Sequence, residues 1–347
     1  MSETKITPTI PDEPLIGNER FIESLFTKPD ESFDHSLRPK TISEFVGQEK
    51  ITEQVDVLIQ AAQLRGDPLG HCLFSGPPGL GKTTIAGILA NSLSTRLVVT
   101  SGPTIERPAD LAIELSKLKK GEILFIDEIH RLNKVVEEYL YSAMEDFVLD
   151  IPKSTRVPLA HFTLVGATTR PGLLSAPFRS RFQFLGRLDF YGVSALSTIL
   201  FRSSRLLGID IDQKSIEEIA RRSRGTPRIA NRLLRWVRDF VQIRAKGKMS
   251  QGAVQEALKM LLIDASGLDE MDFRILSSIV EQFDGGPVGL QTLSMAVGEE
   301  PDTVEEVHEP FLISCGFIKK TPRGREATQL GLDHVRNSRA KAGNNRS

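Results

Sequence analysis

The chain has 347 residues, 40% of them hydrophobic, which is enough for two or three domains with cores of their own. Its 44 Lys and Arg against 45 Asp and Glu leave a formal net charge of -1, which excludes a uniformly basic DNA-coating protein but not a local basic surface. Only two cysteines occur, Cys72 and Cys315, the N-terminus opens polar, and no apolar run approaches the ~20 residues of a membrane span, so a soluble, cytoplasmic protein without disulfides or signal peptide is expected.

Residues 1–36 are rich in Pro, Asp, Glu, Ser and Thr and read as a flexible tail, with one helical turn possible at 21–26. Ile51, Val55, Leu58, Ile59 and Ala62 then recur at helical spacing. Cys72-Leu73-Phe74 is a short apolar run before a glycine-rich turn, and Ile85, Ile88, Leu89 and Leu93 mark one face of the helix that follows. Leu97-Val98-Val99, Ile123-Leu124-Phe125-Ile126 and Phe162-Thr163-Leu164-Val165 are further apolar runs between helical segments. Continuously apolar strands are covered on both faces, so residues 37–191 predict an α/β domain with a parallel sheet.

After Tyr191-Gly192 the strand runs stop. Residues 192–263 read as helices only, a small all-α domain in which Trp236 falls on an apolar stripe. From 264 to 335 the pattern predicts three helices and a hairpin turning at Thr321-Pro322-Arg323-Gly324, the order of a winged-helix domain. Residues 336–347 are polar and basic and read as a disordered tail.

Gly76-Pro77-Pro78-Gly79-Leu80-Gly81-Lys82-Thr83 fits G-x-x-x-x-G-K-[ST] between a strand and a helix. Glycines let backbone N–H groups curl around an anion, and the helix N-terminus adds partial positive charge. Lys82 is expected on the β- and γ-phosphates of ATP and the Thr83 hydroxyl on Mg2+. Asp127 and Glu128 end the apolar run 123–126. Alone, such a pair is more often a helix N-cap. Beside the phosphate loop, Asp127 is expected to hold the Mg2+ hydration shell and Glu128 to deprotonate the attacking water. The absence of a G-x-G-x-x-G fingerprint at a first strand–helix turn excludes a dinucleotide dehydrogenase, and the all-α domain that follows speaks against a small-molecule kinase.

Arg181, in Pro177-Phe178-Arg179-Ser180-Arg181-Phe182, lies too late in the chain to belong to the loop. It is either a surface salt-bridge residue or an arginine that reaches a neighbouring subunit's nucleotide in trans. Arg228, after Gly225-Thr226-Pro227, is either a solvated residue at a helix start or a contact to the phosphates in cis. Residues 221–248 hold ten Lys or Arg and one acid, Asp239. That run is either a solvated helix face or a surface for phosphate, DNA or an acidic partner.

Together these motifs resemble the AAA+ ATPases. Leu37-Arg38-Pro39-Lys40, Glu44-Phe45-Val46-Gly47-Gln48, the phosphate loop through Thr84, Gly166-Ala167-Thr168-Thr169-Arg170, the string from Gly225 to Arg235 and Thr321-Pro322-Arg323-Gly324-Arg325 are similar to those of the RuvB family within them. The resemblance covers about residues 33–330. It implies an AAA+ P-loop domain, an all-α lid domain and a C-terminal winged-helix domain. It also implies a homohexameric ring on duplex and four-way junction DNA that uses ATP and Mg2+ to drive branch migration in recombination and repair, as part of the SOS response, with RuvA and the resolvase RuvC as partners and no membrane role.

By the same resemblance Leu37, Arg38 and Tyr191 contact the adenine side. Gly79, Gly81, Lys82, Thr83, Thr84, Glu145, Asp146, Phe147 and Arg228 contact the nucleotide. Thr169 acts as a sensor, Arg181 comes from the neighbouring subunit, and Lys320, Arg323 and Arg325 contact DNA. The chain departs from the family in a longer N-terminal tail, in Lys for Arg at Lys320, and in a shorter segment between Glu145 and Phe162, where the family places a RuvA-binding hairpin whose tip here would be Lys153-Ser154-Thr155-Arg156. Other readings are a replication-initiator type of AAA+ switch, a clamp-loader subunit with a collar in place of the wing, and a scaffold with a dead nucleotide site.

Overall fold

The structure, a computed structural model, describes residues 36–150 and 156–344. The expected tail 1–35 and the hairpin-tip residues Lys153, Ser154 and Thr155 lie outside them. No described helix is long and apolar enough to cross a membrane.

The first part alternates helices and strands. α1 (Glu49–Arg65) buries Ile51, Val55, Ile59 and Ala62, the stripe read from the sequence. It leads to β1 (Cys72–Ser75), α2 (Lys82–Ser92), β2 (Leu97–Ser101), α3 (Pro108–Ser116) and β3 (Ile123–Asp127). Then come α4 (Lys134–Asp146), a hairpin of β4 (Val148–Asp150) and β5 (Arg156–Pro158), and β6 (Thr163–Thr168), α5 (Ala176–Arg179) and β7 (Phe184–Arg187). Five strands form one parallel sheet in the order β2-β3-β6-β1-β7. β6 is buried along its whole length and β3 up to its last residue, as continuous apolar runs require. One face of the sheet packs Leu124, Ile126 and Leu164 against Leu111, Leu115, Val136, Leu140, Met144 and Phe178 of α3, α4 and α5.

β7 was not predicted. Phe184-Leu185-Gly186-Arg187 is an edge strand with alternating exposure, so it carries a glycine and a charge instead of an apolar run. The hairpin expected between Glu145 and Phe162 is present as β4 and β5, paired from Val148–Pro158 to Asp150–Arg156.

The second part is helical: α6 (Val193–Leu206), α7 (Gln213–Arg221), α8 (Pro227–Arg244) and α9 (Gln251–Met260). Asp212 and Ser250 cap α7 and α9 by accepting the N–H of Ser215 and Ala253. The half-buried Trp236 donates its indole N–H to Ala257 O at 2.8 Å, tying α8 to α9.

The third part starts with α10 (Glu270–Ser277) and continues through α11 (Leu290–Val297), α12 (Pro301–Thr303) and α13 (Glu309–Ser314). The last two are joined by a π-type turn, Val304–His308. The antiparallel pair β8 (Ile318–Thr321) and β9 (Gly324–Ala327) completes a winged helix. The joint between the second and third parts is ionic. Arg224 donates to Asp269 at 2.6 Å, to Asp272 at 3.0 Å and to Val307 O at 3.2 Å, and Asp272 also meets His308 Nδ1 at 2.7 Å. All four side chains are buried. Breaking one partner of such a pair costs about 3–5 kcal/mol, so the joint resists opening at this point.

The expected disordered tail is corrected in its first part. Residues 336–344 belong to a long helix, α14 (Gln329–Asn344). Val335 is buried in the wing's core, and Arg339 holds Glu281 through two bonds of 3.0 and 2.9 Å while lying over the Phe273 ring. Arg336 and Arg339, two of the basic residues that made the segment look solvated, are exposed on this helix.

Candidate functional site

β6 lies between β3 and β1, and all three run parallel, so the loops leaving their C-terminal ends share one edge of the sheet. The loop after β1 is tied to β6 by the Gly76 N–H, which donates to Thr168 O at 3.1 Å. Gly76, Gly79 and Gly81 have φ of 138, 78 and 105°, which L side chains rarely adopt. At Gly79 the need is also one of space, since a Cβ there would lie 2.7 Å from Thr226 Cγ2 and 3.2 Å from Arg228 Cβ. The start of α8 is therefore pressed against the loop.

Lys82 opens α2 with its side chain buried. Its Nζ donates to Gly76 O at 2.7 Å and Pro77 O at 2.8 Å. Burial lowers its pKa from 10.5 to about 8; Asp127 is the strongest influence in the other direction and Arg228 adds to the lowering. A buried ammonium bonded to two loop carbonyls at a helix N-terminus is a donor made for a polyanion. Thr83 and Thr84 follow on the first turn, half-buried.

Asp127 ends β3, and its Oδ1 accepts the Glu128 N–H at 2.9 Å. Glu128 turns the chain with φ 46° and ψ 43°, a left-handed conformation unusual for glutamate. Only glycine fits opposite it, because a Cβ at Gly102 would sit 2.4 Å from Glu128 O. The Glu128 carboxylate accepts Arg131 NH1 at 3.1 Å.

Thr169, the expected sensor, and its neighbour Thr168 have different partners. Thr168 is buried, its Oγ1 lying 3.0 Å from His130 Nδ1 and accepting the Arg170 N–H at 3.0 Å. Thr169 donates its hydroxyl to Glu306 at 3.2 Å. Arg170 next to it reaches Asp302 at 3.1 Å, Glu305 at 3.3 Å and Glu306 at 2.8 Å. Sequence reasoning missed this contact with the third part of the chain. The acidic run 299–306 was its only signal, and nothing in a sequence says which loop such a run will meet.

Tyr191 donates its hydroxyl to Leu80 O at 2.9 Å and its N–H to Gly225 O at 2.8 Å, joining the phosphate loop to the helical part. Burial pushes the Tyr191 phenol well above its usual range, so it stays neutral. Leu37 is buried, with its carbonyl accepting from Arg202 at 2.8 Å, and the half-buried Arg38 follows it.

Arg181 follows α5. Its guanidinium bonds the Tyr141 hydroxyl, lies 4.5 Å from that ring's centroid and pairs with Glu145 at 2.7 Å. Glu145 was expected on nucleotide with Asp146 and Phe147. Its recorded partner is Arg181, Asp146 is exposed, and Phe147 stacks at 4.1 Å on His161.

On the hairpin, Arg323 is exposed at the turn. Lys320 is exposed and pairs with Glu305 at 2.8 Å. Arg325, expected on DNA, is instead turned inward. It is buried and grips both carboxylate oxygens of Glu309, with Glu305 at 3.7 Å. Two acids four positions apart at the π-type turn and the start of α13 face the hairpin, and the inward-facing register of β9 delivers Arg325 to them. The basic run 221–248 is likewise no single face: Arg224 and Arg232 are buried, and Arg222 and Arg238 pair with Glu218 and Asp239 at 2.5 and 2.8 Å.

Comparison with known proteins matches the whole described architecture. Residues 37–188 match the Holliday junction DNA helicase RuvB P-loop domain, 191–264 the RuvB AAA lid domain and 265–336 the RuvB C-terminal winged helix domain. The Holliday junction branch migration complex subunit RuvB of Protochlamydia amoebophila is 55% identical over 325 residues, 92% of this chain and 98% of that one. Its Chlamydia pneumoniae counterpart is 55% identical over 314 residues, 88% of this chain and 93% of that one. The solved Thermotoga maritima RuvB Holliday junction branch migration motor superposes with a TM-score of 0.82 at 48% identity, covering 87% of this chain and 98% of that one.

Proposed function

The chain belongs to the RuvB family, and from that premise we propose that it is an ATP-driven motor that migrates the branch point of Holliday junctions. The observation that carries the chemistry is the shared sheet edge. There Lys82, Asp127 and Glu128 lie close enough for both carboxylates to act on the lysine's charge, and Arg228 acts on it with the opposite sign. The replication-initiator switch and the clamp-loader subunit weighed from sequence belong to other families.

The loop amides and Lys82 hold the triphosphate, Thr84 and Arg228 add contacts to it, and Leu37, Arg38 and Tyr191 line the adenine side. Thr83 and, through its hydration shell, Asp127 would hold Mg2+, which would supply charge to offset that of the β- and γ-phosphates. Glu128 orients and deprotonates the attacking water, and must release Arg131 to do so. Thr169 reads the terminal phosphate by exchanging its bond to Glu306. Arg181 acts on the nucleotide of a neighbouring subunit in a closed ring, taken as a homohexamer from the family resemblance. Because Arg228 touches the loop from α8, loss of the γ-phosphate shifts the helical part against the sheet.

Arg323 and Lys320 are the phosphate-facing cations of the wing, and Arg325 reaches DNA only on leaving Glu309. Contacts of this kind serve any sequence. RuvA at the β4–β5 hairpin, RuvC, action in the cytoplasm and a role in the SOS response complete the reading. Glu128→Gln tests the chemistry: nucleotide affinity should stay within about twofold while turnover falls by ~100-fold or more. Retained turnover would remove Glu128 from its role.

A further inference from the structure

α4 presents three residues at four-residue spacing, Glu137, Tyr141 and Glu145, which therefore lie on one stripe of the helix. Each of them grips the segment that carries Arg181. Glu137 accepts the hydroxyl of Ser175, and Ser175 is the N-cap of α5, holding the Phe178 N–H at 3.3 Å. Tyr141 bonds the Arg181 guanidinium through its hydroxyl and lies under it with its ring centroid 4.5 Å away. Glu145 closes the other side at 2.7 Å.

Arg181 is thus held on two sides, but its charge is not spent. The Arg181 side chain keeps 32% of its exposure and Glu145 keeps 44%, while the Arg181 Nε is buried without a hydrogen-bond partner among the described residues. A buried structural pair, such as Arg325 with Glu309, is 8% and 2% exposed on the same measure. The Arg181 arrangement is a half-open cradle that leaves the guanidinium partly exposed.

The same helix begins at the candidate ATP site. β3 ends in Asp127, Glu128 turns the chain, Arg131 grips Glu128, and Asn133 caps α4 by accepting the Val136 N–H at 3.0 Å. A short stretch of chain therefore leads from the water-activating carboxylate of one site to the helix that holds the arginine serving the next.

We propose that Tyr141 and Glu145 are positioning residues for Arg181, fixing the direction in which it enters the neighbouring subunit's ATP site. The proposal rests on the reading of Arg181 as a trans-acting group. Holding a long, rotamer-rich side chain in its working geometry before the transition state forms removes an ordering cost from the barrier. Tyr141 supplies a flat surface and one acceptor. Glu145 supplies the charge that keeps the guanidinium from folding back over α5. Neither residue needs to touch ATP.

The test uses the full chain on duplex DNA and six variants: Tyr141→Phe, Glu145→Gln, their combination, Glu145→Asp, Glu128→Gln and Arg181→Ala. Tyr141→Phe keeps the ring and only removes the hydroxyl, so the fold is spared. In the double variant kcat should fall by about tenfold or more while KM and the affinity for a non-hydrolysable ATP analogue stay within about twofold. Glu145→Asp should recover part of the kcat lost in Glu145→Gln. The decisive arm mixes the double variant with Glu128→Gln subunits. The first has an intact ATP site and a misdirected arginine, the second the reverse, so mixed rings should hydrolyse ATP faster than either alone. Equal loss in analogue affinity, no gain on mixing, or a fully active double variant beside an inactive Arg181→Ala would overturn the positioning role alone. A fully active Arg181→Ala would overturn the trans reading, and the proposal with it.

Discussion

Lys82 shows how far one side chain's environment can be turned into a measurement. Its burial lowers the folded-state pKa to about 8, while the unfolded chain holds that proton up to about 10.5. Between those values the unfolded state binds more protons, so this residue makes the nucleotide-free protein more stable as pH rises through the window. Affinity for ATP runs the other way, because a neutral amine no longer attracts the phosphates. Binding of a fluorescent ATP analogue should weaken as pH passes about 8, approaching tenfold per unit, and Lys82→Ala should flatten the profile. A wild-type profile level from pH 7 to 9.5 would mean that the lysine is charged throughout. The loop's residues were legible in the sequence because their spacing is dictated by the anion they hold. Lys82's resting partners, Gly76 O and Pro77 O, were not, since they depend on a curl of backbone that no side-chain pattern encodes.

At the level of elements, the π-type turn Val304–His308 joins two sites that the sequence places far apart. Glu306 holds Thr169 and Arg170, and Glu305 bridges Arg170 to Lys320 of the wing. Glu305 competes with any phosphate for Lys320, and its carboxyl is held below its usual range by that lysine. Replacing it frees an exposed cation. Exposed pairs are weak, so Glu305→Gln should tighten duplex DNA binding by only about two- to fivefold at low salt, and steepen the salt dependence. Weaker binding would show that Glu305 orients Lys320 toward DNA instead of holding it back. Strands β1, β3 and β6 were legible because burial on both faces demands unbroken apolar runs. The edge strand β7 and the helical end of α14 were not, because each is half-solvated and is fixed by partners distant in sequence, such as Glu281 for Arg339.

For the molecule as a whole, three successive parts are locked by different physics. The phosphate loop meets the helical part through Thr226, Arg228 and Tyr191, and the helical part meets the wing through the buried Arg224 with Asp269 and Asp272. Burial opposes ionisation at Asp269, but Arg224 and His308 outweigh it and hold that carboxyl low. Their order along the chain could be read from periodicity alone, from strands to helices to a helix–hairpin pattern. The joints between them could not, because Arg224 sits in a run of basic residues and only the fold separates it from the solvated ones.

The central claim is that hydrolysis at this site moves the arms of a four-way junction. Conversion of a synthetic junction to duplex products, with the cognate RuvA present, measures that directly. Products should form with ATP and Mg2+, and not with a non-hydrolysable analogue or with Lys82→Ala. A RuvA-bound junction left intact while the protein hydrolyses ATP at its full rate would contradict it.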